Sequence, residues 1–328
     1  MMSSLQETLN NVNSYESLIE VFGLGYVGFP LAVRLASMGM NVRGVDVDEN
    51  RVNRLNRNEL LETERNLKGS FLSAKTSGRL RITTKPTPSE TAKIGIICVP
   101  TPIPTKSITS NIHVNSSIKS FLNTCNTGDI IIIESSVEVG TTDSTRTMIE
   151  AAGHKVGKNF GLAFCPERID PQNTRWTLEN IPRVVYCSDD TTFKIIKIIY
   201  SNVNNSNLIR VSSAKTAEVT KSFENAFRLV NISLVNELAI LCDHLQINAR
   251  EVIDAAATKP FGFMPFYPGA GAGGHCIPKD PRFLLESSKK FGSQFTTIHN
   301  ALEINSYVPI YISEHVDDII SKNNLTKS

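Results

Sequence analysis

The chain has 328 residues, of which 41% are hydrophobic and 20% are charged, and 34 basic against 32 acidic residues leave a formal net charge of +2. This composition is typical of a globular protein, and it gives no indication of a nucleic-acid-binding or membrane-surface protein. At roughly 150 residues per domain, the length predicts about two domains.

Residues 1–17 are polar, with neither a basic start nor an apolar run, so we interpret them as an N-terminal tail rather than a signal peptide. The longest apolar runs elsewhere are too short to cross a bilayer, which predicts a cytoplasmic protein without a membrane segment. The six cysteines show no CxxC pair and no regular spacing. This argues against a disulfide framework and against a metal site.

Short apolar segments bounded by polar, Gly or Pro residues predict the buried strands of a parallel sheet. They lie at residues 18–22, 41–45, 94–99, 129–134, 160–164 and 183–187. Helical stretches separate several of them, and right-handed crossovers then give a Rossmann-like α/β doubly wound domain over residues 18–208. Glu20 is unexpected in the first strand, and it indicates either a frayed strand start or a partner that the sequence does not reveal.

A long helix is predicted after the Asn/Ser-rich stretch 201–207, because about 30 residues without Gly or Pro carry apolar residues at helical spacing. Such a helix would span roughly 45 Å, longer than a small domain is wide. It connects domains or forms an oligomer interface, so we predict a homodimer through it. A shorter helix over 249–258 follows, and together they predict a smaller all-helical domain over 209–305.

A nucleotide site is predicted in the segment LIEVFGLGYVG at 18–28, where Gly23, Gly25 and Gly28 form a G-x-G-x-x-G pattern. The first glycine permits the tight turn, the second lets a pyrophosphate approach the backbone, and the third lets the helix pack on the strand. Asp46 follows about twenty residues later, where a carboxylate binds ribose hydroxyls and repels the 2′-phosphate of NADP. The pattern therefore predicts NAD, with a glycine-rich turn that binds no nucleotide as the alternative.

A chemical site is predicted in the Gly- and Pro-rich segment 261–281, which places Cys276 just before Lys279 and Asp280. Glycine backbones allow close approach of a substrate. The cation of Lys279 favours the thiolate form of Cys276, which is the form that a nucleophile needs. A buried structural cysteine is the alternative interpretation.

Lys221 and Asn225 lie four residues apart on the predicted long helix and therefore project from one face. An ammonium group and an amide aimed at one point stabilise an alkoxide or an oxyanion. A solvated lysine and an ordinary helix asparagine are the alternative.

Three loops follow predicted strands and are therefore expected at the carboxyl edge of the sheet, where ligands bind. They cover residues 97–102, 133–142 and 165–171. Glu167 in the third loop is a candidate general acid or base. Each loop is also compatible with ordinary loop chemistry.

Together these motifs resemble the UDP-glucose/GDP-mannose dehydrogenase family, whose members use NAD to oxidise a nucleotide sugar twice at carbon 6, from alcohol to carboxylate. The resemblance runs from GLGYVG to the end of the chain. DPQNTRWTLENIPRVV and AATKPFGFMPFYPGAGAGGHCIPKDP are most similar to the UDP-N-acetylglucosamine 6-dehydrogenase branch. UDP-N-acetylmannosamine and UDP-glucose dehydrogenases are close alternatives, so the resemblance implies a UDP-sugar substrate.

The resemblance also implies catalytic roles. Cys276 matches the nucleophile that traps the aldehyde as a thiohemiacetal and then carries a thioester. Lys221 and Asn225 match the pair that stabilises the oxyanion. Asp280 matches a residue that assists the base chemistry, and Glu167 matches an acidic residue implicated in thioester hydrolysis.

Further positions are assigned to the ligands on the same ground. Ser136 lies where many relatives have a threonine near a catalytic water, so the hydroxyl is kept. The residues expected to line the cofactor are Gly23, Gly25, Tyr26, Val27, Gly28, Asp46, Arg51, Pro100, Thr101, Ser135 and Lys279. Those expected to contact the sugar nucleotide are Glu167, Arg168, Lys221, Asn225, Phe266, Tyr267 and Gly273.

The chain departs from the family pattern at its end. The family continues into another Rossmann-like domain that holds the uridine nucleotide, whereas residues 306–328 are expected to form only the start of a connecting helix. Binding energy from remote parts of a substrate orients its reacting end, so low unaided activity is expected. A separate chain that supplies the UDP-binding domain is a candidate partner.

Two other functions stay open on the sequence. A β-hydroxyacid-type dehydrogenase also pairs a Rossmann domain with a lysine and an asparagine on the following helix, but it needs no reactive cysteine. A non-catalytic NAD-binding or interaction protein would bind NAD without any sugar nucleotide.

Overall fold

The chain divides into two compact units, Met1–Val219 and Thr220–Ser328. The first unit contains a β-sheet covered by helices, and the described residues of the second form helices and loops. The computed structural model describes residues 4–102, 111–169, 173, 175–178, 180–203, 208–274 and 276–322.

Within those residues, eight strands form one sheet in the order β3-β2-β1-β4-β5-β6-β7-β8. The strands are Leu18–Phe22 (β1), Asn41–Val45 (β2), Leu80–Thr83 (β3), Lys93–Ile97 (β4), Ile130–Ile133 (β5), Gly161–Phe164 (β6), Arg183–Cys187 (β7) and Leu208–Arg210 (β8). The first six are parallel, and the strand order reverses between β1 and β4. This confirms the predicted doubly wound α/β fold, in which ligands bind beyond the carboxyl ends of the strands near that reversal.

The prediction of a parallel sheet is wrong for β7, which runs antiparallel to β6 with Phe164 opposite Tyr186. A short apolar run indicates burial of a strand but not its direction, so the sequence pattern carries no information on this point. Because β7 is reversed, its first residue, Arg183, lies at the edge where the parallel strands end. β8 follows the direction of β7.

Seven α-helices flank the sheet in the described part of the first unit. They are Ser4–Asn13 (α1), Gly28–Ser37 (α2), Glu49–Asn56 (α3), Lys68–Thr76 (α4), Ile112–Leu122 (α5), Thr141–Ala151 (α6) and Asp190–Val203 (α7). A 3-10 helix covers Glu62–Leu67. The predicted polar tail is therefore wrong, because α1 packs against α7 and buries Leu5, Leu9 and Val12, which share one helical face.

The sheet is buried on both faces. In β5, Ile130 and Ile132 belong to one apolar cluster, whereas Ile131 and Ile133 belong to another. Successive strand side chains point to opposite faces, so the two clusters lie on the two sides of the sheet. A strand that is buried on both faces has a continuous apolar sequence, which explains why this one was predictable.

Glu20 is buried and has two cationic partners, Lys93 and Arg43. Its Oε2 lies 3.1 Å from Lys93 Nζ, and its Oε1 lies 3.0 Å from Arg43 Nη1. Lys93 Nζ also donates to Thr124 Oγ1 at 2.6 Å. The charge in the first strand is therefore neutralised inside the protein, and the alternative of a frayed strand start does not apply.

The second unit is built from four described helices. α8 covers Ala214–Leu245 and begins within the first unit, followed by Ala249–Ala257 (α9), Asp280–Lys290 (α10) and Thr296–Lys322 (α11). The 32-residue α8 confirms the predicted long helix. The helix predicted over 306–328 begins earlier, at Thr296, and residues 323–328 lie outside the described residues. The core of this unit consists of Ala226, Leu229, Leu284, Ile298, Ala301 and Leu302.

Among the described helices, α8 alone is long and apolar enough to span a membrane by length and composition. That property by itself is weak, since core helices share it. α8 also buries the polar side chains of Glu218, Lys221, Asn225 and Asn236. Such groups are costly in a lipid environment, so their burial favours a core helix.

Candidate functional site

The glycine-rich turn after β1 has the geometry that a pyrophosphate site needs. Gly23 has a φ of +85°, and a Cβ there would lie 2.8 Å from the carbonyl oxygen of Cys98. A Cβ on Gly28 would lie 2.0 Å from the carbonyl oxygen of Gly23. A Cβ on Gly25 would meet no described atom within 4 Å. The fold therefore requires the first and third glycines, whereas the second borders open space that a ligand can fill.

Asp46 closes this turn from the end of β2. Its Oδ2 accepts a hydrogen bond from Leu24 N at 2.7 Å, and its Oδ1 accepts one from Asp48 N at 3.0 Å. Tyr26 is exposed, and Val27 is the N-cap of α2. The turn thus ends at the positive end of a helix dipole, with a carboxylate fixed beside it.

Arg51 of α3 contacts the same turn. Its Nε donates to Leu24 O at 3.0 Å, and its guanidinium lies 5.0 Å from the centre of the Phe29 ring. Glu64 holds the same guanidinium through two hydrogen bonds, one of them 3.1 Å long. The sequence interpretation missed Glu64 because it lies in a polar 3-10 helix with no recognisable motif. The ribose contact of Arg51 stays a prediction.

Hydroxyl groups join the loops after β4 and β5. Thr101 Oγ1 donates to Ser136 O at 2.8 Å, and Ser135 Oγ donates to Val99 O at 2.7 Å. Thr101 and Ser135 are buried, whereas Pro100 is exposed. These bonds hold the two loops together at the carboxyl edge of the sheet. The contacts of Pro100, Thr101 and Ser135 with the cofactor stay a prediction.

The residues around the turn fit NAD. The open space at Gly25 admits a pyrophosphate, the start of α2 provides backbone N–H donors, and Asp46 provides a carboxylate for the ribose. That carboxylate disfavours a 2′-phosphate. In the part of the chain that the structure describes, no group of three His, Cys, Asp or Glu side chains could hold a metal ion.

Glu167, in the loop after β6, is held by an arginine that the sequence interpretation missed. Arg183 Nη2 donates to Glu167 Oε2 at 2.8 Å. The other oxygen, Oε1, accepts hydrogen bonds from Arg168 N at 2.5 Å and from Ile169 N. Arg183 Nη1 lies 3.2 Å from Glu134 Oε1. One guanidinium therefore bridges two carboxylates.

Tyr200 and Glu134 form the inner end of this cluster. The Tyr200 hydroxyl donates to Glu134 Oε1, and the guanidinium of Arg183 lies 4.6 Å from the centre of the Tyr200 ring. Burial raises the pKa of the Glu134 carboxyl, and the charge of Arg183 opposes that shift. Burial lowers the pKa of Arg183, but Glu134 and Glu167 outweigh this effect and raise it well above its usual value. Arg183 is therefore a permanent cation.

In the second unit, the loop that carries Cys276 leads into α10. Asp280 N and Lys279 N donate to Cys276 O at 2.9 Å and 3.2 Å. Cys276 is exposed, whereas the other cysteines are buried or half-buried. An accessible thiol is what a nucleophile requires, and the alternative of a buried structural cysteine does not apply.

Three more of the predicted catalytic and cofactor residues meet at the start of α10. Asn225 Nδ2 donates to Asp280 Oδ2 at 2.7 Å, and Lys279 Nζ lies 3.4 Å from Asp280 Oδ1. Lys221 lies one turn before Asn225 on α8 and is buried, as Asn225 and Asp280 are. The alternative of a solvated lysine on this helix is therefore wrong.

Two asparagines outside the predicted site hold the Gly-rich loop before Cys276. Asn305 of α11 binds both backbone polar groups of Ala272, since its Oδ1 accepts from Ala272 N at 2.5 Å and its Nδ2 donates to Ala272 O at 3.2 Å. Asn236 of α8 accepts a hydrogen bond from Gly269 N at 2.9 Å. No sequence motif marks either residue, because each acts on a backbone that is distant in the chain.

The aromatic residues of this loop contact neighbouring helices. The Phe266 ring lies 6.0 Å from that of Phe227, edge to face, and the Tyr267 hydroxyl donates to Asp254 Oδ1 at 2.6 Å. Tyr267 and Gly273 are exposed. Their contacts with a sugar nucleotide stay a prediction.

Comparisons with known proteins agree with these features. Residues 17–204 match the NAD binding domain of the UDP-glucose/GDP-mannose dehydrogenase family, and residues 215–307 match its central domain. The UDP-N-acetyl-D-mannosamine dehydrogenase of Methanocaldococcus jannaschii is 36% identical over 95% of this chain and 70% of its own length. The UDP-N-acetyl-D-glucosamine 6-dehydrogenase of Salmonella typhi is 32% identical over 94% and 72%.

A solved structure shows the same architecture. The UDP-D-ManNAc dehydrogenase of Pyrococcus horikoshii has a TM-score of 0.84 at 30% identity, and the match covers 94% of this chain and 72% of that one. Two matched family domains, identities above 30% and a shared fold lead to one conclusion. The chain belongs to the UDP-glucose/GDP-mannose dehydrogenase family, is an NAD-dependent oxidoreductase and has NAD as its cofactor.

Proposed function

We propose that this chain oxidises a UDP-sugar twice at carbon 6, from alcohol to carboxylate. The observation that carries the proposal is the exposed thiol of Cys276, in the same unit as the buried polar side chains of Lys221, Asn225 and Asp280. An enzyme that stops at the aldehyde needs no such thiol. NAD, when bound, supplies the acceptor for the hydride.

The first oxidation turns the C6 alcohol into an aldehyde. Asp280 accepts a hydrogen bond from Asn225 and lies beside Lys279, so its carboxylate is oriented to assist removal of the hydroxyl proton. The Lys221 ammonium and the Asn225 amide stabilise the negative charge on the C6 oxygen as the proton leaves.

The second oxidation depends on Cys276. Its thiolate adds to the aldehyde carbon, a C–S bond forms, and the carbonyl oxygen becomes the oxyanion that Lys221 and Asn225 stabilise. The resulting thiohemiacetal can lose a hydride, which leaves a thioester on the sulfur. The covalent bond also prevents escape of the aldehyde.

Hydrolysis of the thioester completes the reaction. Water adds to the acyl carbon, the C–S bond breaks, and the sulfur regains a proton while the uronate leaves. Glu167 is the proposed acidic residue that assists this step, and the Ser136 hydroxyl is proposed to lie near the reacting water.

The proposed substrate is UDP-N-acetylglucosamine, with UDP-N-acetylmannosamine and UDP-glucose as alternatives. Named relatives act on both N-acetylated sugars, at 36% identity for the mannosamine enzyme and 32% for the glucosamine enzyme. Arg168, Phe266, Tyr267 and Gly273 are the proposed contacts to the sugar nucleotide, together with the catalytic residues. A comparison of kcat/KM for the three UDP-sugars identifies the substrate.

The stoichiometry of NADH tests the double oxidation. We expect two NADH for each UDP-sugar consumed, with the uronate as the only accumulating product. One NADH per sugar would favour a simple alcohol dehydrogenase of the β-hydroxyacid type. NAD binding by calorimetry without any UDP-sugar binding would support a non-catalytic protein.

We also propose a homodimer through α8. Phe223, Leu234 and Leu241 are exposed and lie at near-whole numbers of helical turns from one another, so they form one apolar stripe. Burying such a stripe against a second copy removes it from water. Sedimentation should give twice the chain mass, and Leu234→Glu should give the monomer. A wild-type monomer would contradict this proposal.

Other proposals concern the surroundings of the chain. The chain spans about 70% of the length of the mannosamine relative from M. jannaschii. We propose a UDP-binding domain on a separate chain as a candidate partner, and a boundary between the NAD-binding and central domains at residues 208–209. Addition of that domain should lower the KM for the UDP-sugar.

We also propose a cytoplasmic location, since the described cysteines form no disulfides. Cell fractionation tests this proposal.

A further inference from the structure

The cluster around Arg183 has an inner and an outer end. The side chains of Arg183 and Glu134 are 1% and 0% exposed, whereas that of Glu167 is 13% exposed. Tyr200, at the inner end, is fully buried. Glu167 is the most exposed of these four side chains, and the other three therefore influence a substrate through Glu167.

Arg183 controls the direction of the Glu167 carboxylate. One oxygen of Glu167 is bonded to Arg183 Nη2 at 2.8 Å, and the other is bonded to the backbone of its own loop. Arg183 is in turn fixed by Glu134, at 3.2 Å from Nη1, and by stacking on Tyr200. With both oxygens bonded and the arginine itself immobilised, Glu167 has a single orientation.

Stability alone does not explain this arrangement. Buried ion pairs cost nearly as much in desolvation as they return in attraction, and apolar residues of similar size stabilise a core equally well. A charged cluster that ends on one partly exposed carboxylate has the form of a support for that carboxylate.

We infer that Arg183 is a positioning residue, which orients the Glu167 carboxylate for its proposed role in thioester hydrolysis. The inference rests on the proposed double oxidation. A guanidinium bonds two carboxylates through separate nitrogens, whereas an ammonium group is a single point charge. Arg183→Lys therefore keeps the charge and loses the orientation.

The test measures the two halves of the reaction separately, on the full chain with NAD and UDP-N-acetylglucosamine. Rapid mixing gives the first burst of NADH, steady-state rates give the turnover, and intact mass spectrometry gives the fraction of chains with an acyl group on Cys276. For Arg183→Lys we expect an unchanged burst of two NADH per chain. Turnover should fall about 10- to 100-fold, as misplacement of a catalytic group does, and the acylated chain should accumulate.

A double-mutant cycle separates positioning from a general loss of structure. If Arg183 acts through Glu167, then Arg183→Lys combined with Glu167→Gln is no slower than Glu167→Gln alone. Arg210→Lys is the matched control. Arg210 lies on the neighbouring strand β8 and forms a surface ion pair with Asp190 of α7 at 2.6 Å. It should leave the burst, turnover and acylation unchanged.

Each result decides the matter. Additive losses in the double variant, or a smaller burst with weaker NAD binding in Arg183→Lys, would show a merely structural role. If Arg183→Lys does not fold, Tyr200→Phe removes one hydroxyl from the inner end. It should keep the NADH burst and lower turnover, by a smaller factor than Arg183→Lys. Wild-type turnover and acylation in Tyr200→Phe would overturn the inference. A wild-type chain that forms no NADH would instead refute the proposed function, and the inference with it.

Discussion

Cys276→Ala is expected to reduce uronate formation by about 10³-fold or more, as removal of a catalytic nucleophile does. The NADH that still forms should not exceed one per sugar, because the aldehyde cannot pass on a second hydride until a nucleophile has added to its carbonyl. The measurement is product analysis by chromatography beside NADH absorbance. The same variant should still bind NAD, since Cys276 and the glycine-rich turn belong to different units.

Selective alkylation provides an independent version of this experiment. Cys276 is the exposed cysteine, and Cys125 is half-buried, with a thiol whose pKa is raised to about 11 by burial and by the nearby charge of Asp129. Iodoacetamide near neutral pH should therefore modify Cys276 first and abolish the second oxidation in parallel. Cys125→Ala is the control and should keep full activity and full sensitivity. Uronate formation at the wild-type rate in Cys276→Ala would refute the thioester route.

Local sequence patterns were sufficient to predict the geometry of those parts of the site in which neighbours in sequence are neighbours in space. The glycine turn, the acidic end of β2 and the spacing of Lys221 and Asn225 all belong to this kind. Each depends on one strand, one turn or one helix face, and the periodicity of a single element determines it.

Partners that are distant in the chain were beyond such patterns. Glu20 and Lys93 are 73 positions apart, and only pairing of β1 with β4 brings them together. Asn305 and Ala272 meet in the same way, through packing of α11 on the Gly-rich loop. A buried charge in a strand predicts that a partner exists but does not identify it.

The direction of β7 had the largest consequence for the site. In a parallel strand, Arg183 would begin at the amino edge of the sheet, far from the loops that bind ligands. The reversal carries it to the carboxyl edge, beside Glu134 and Glu167. Strand direction depends on the path of the connecting chain, which a five-residue apolar run does not encode.

Gly25→Ala and Gly28→Ala should separate the needs of the cofactor from those of the fold. A Cβ at position 28 would lie 2.0 Å from a backbone carbonyl oxygen that cannot move aside. Gly28→Ala should therefore destabilise the first unit by about 3 kcal/mol or more, measured by denaturant unfolding. At position 25 the space is open, so the free energy of unfolding of Gly25→Ala should lie within about 0.5 kcal/mol of the wild-type value.

NAD affinity should fall in the Gly25→Ala chain although its stability is unchanged. The added methyl group occupies the space that a pyrophosphate needs, so calorimetry should show Kd raised at least about tenfold, or about 1.4 kcal/mol. Gly69→Ala, at an exposed position of α4 with open space at its Cβ, is the matched control and should leave Kd unchanged. Wild-type NAD affinity in a folded Gly25→Ala chain would place the pyrophosphate elsewhere. A folded Gly25→Ala chain with a raised Kd would show that a bound ligand, and not the fold, requires glycine at position 25.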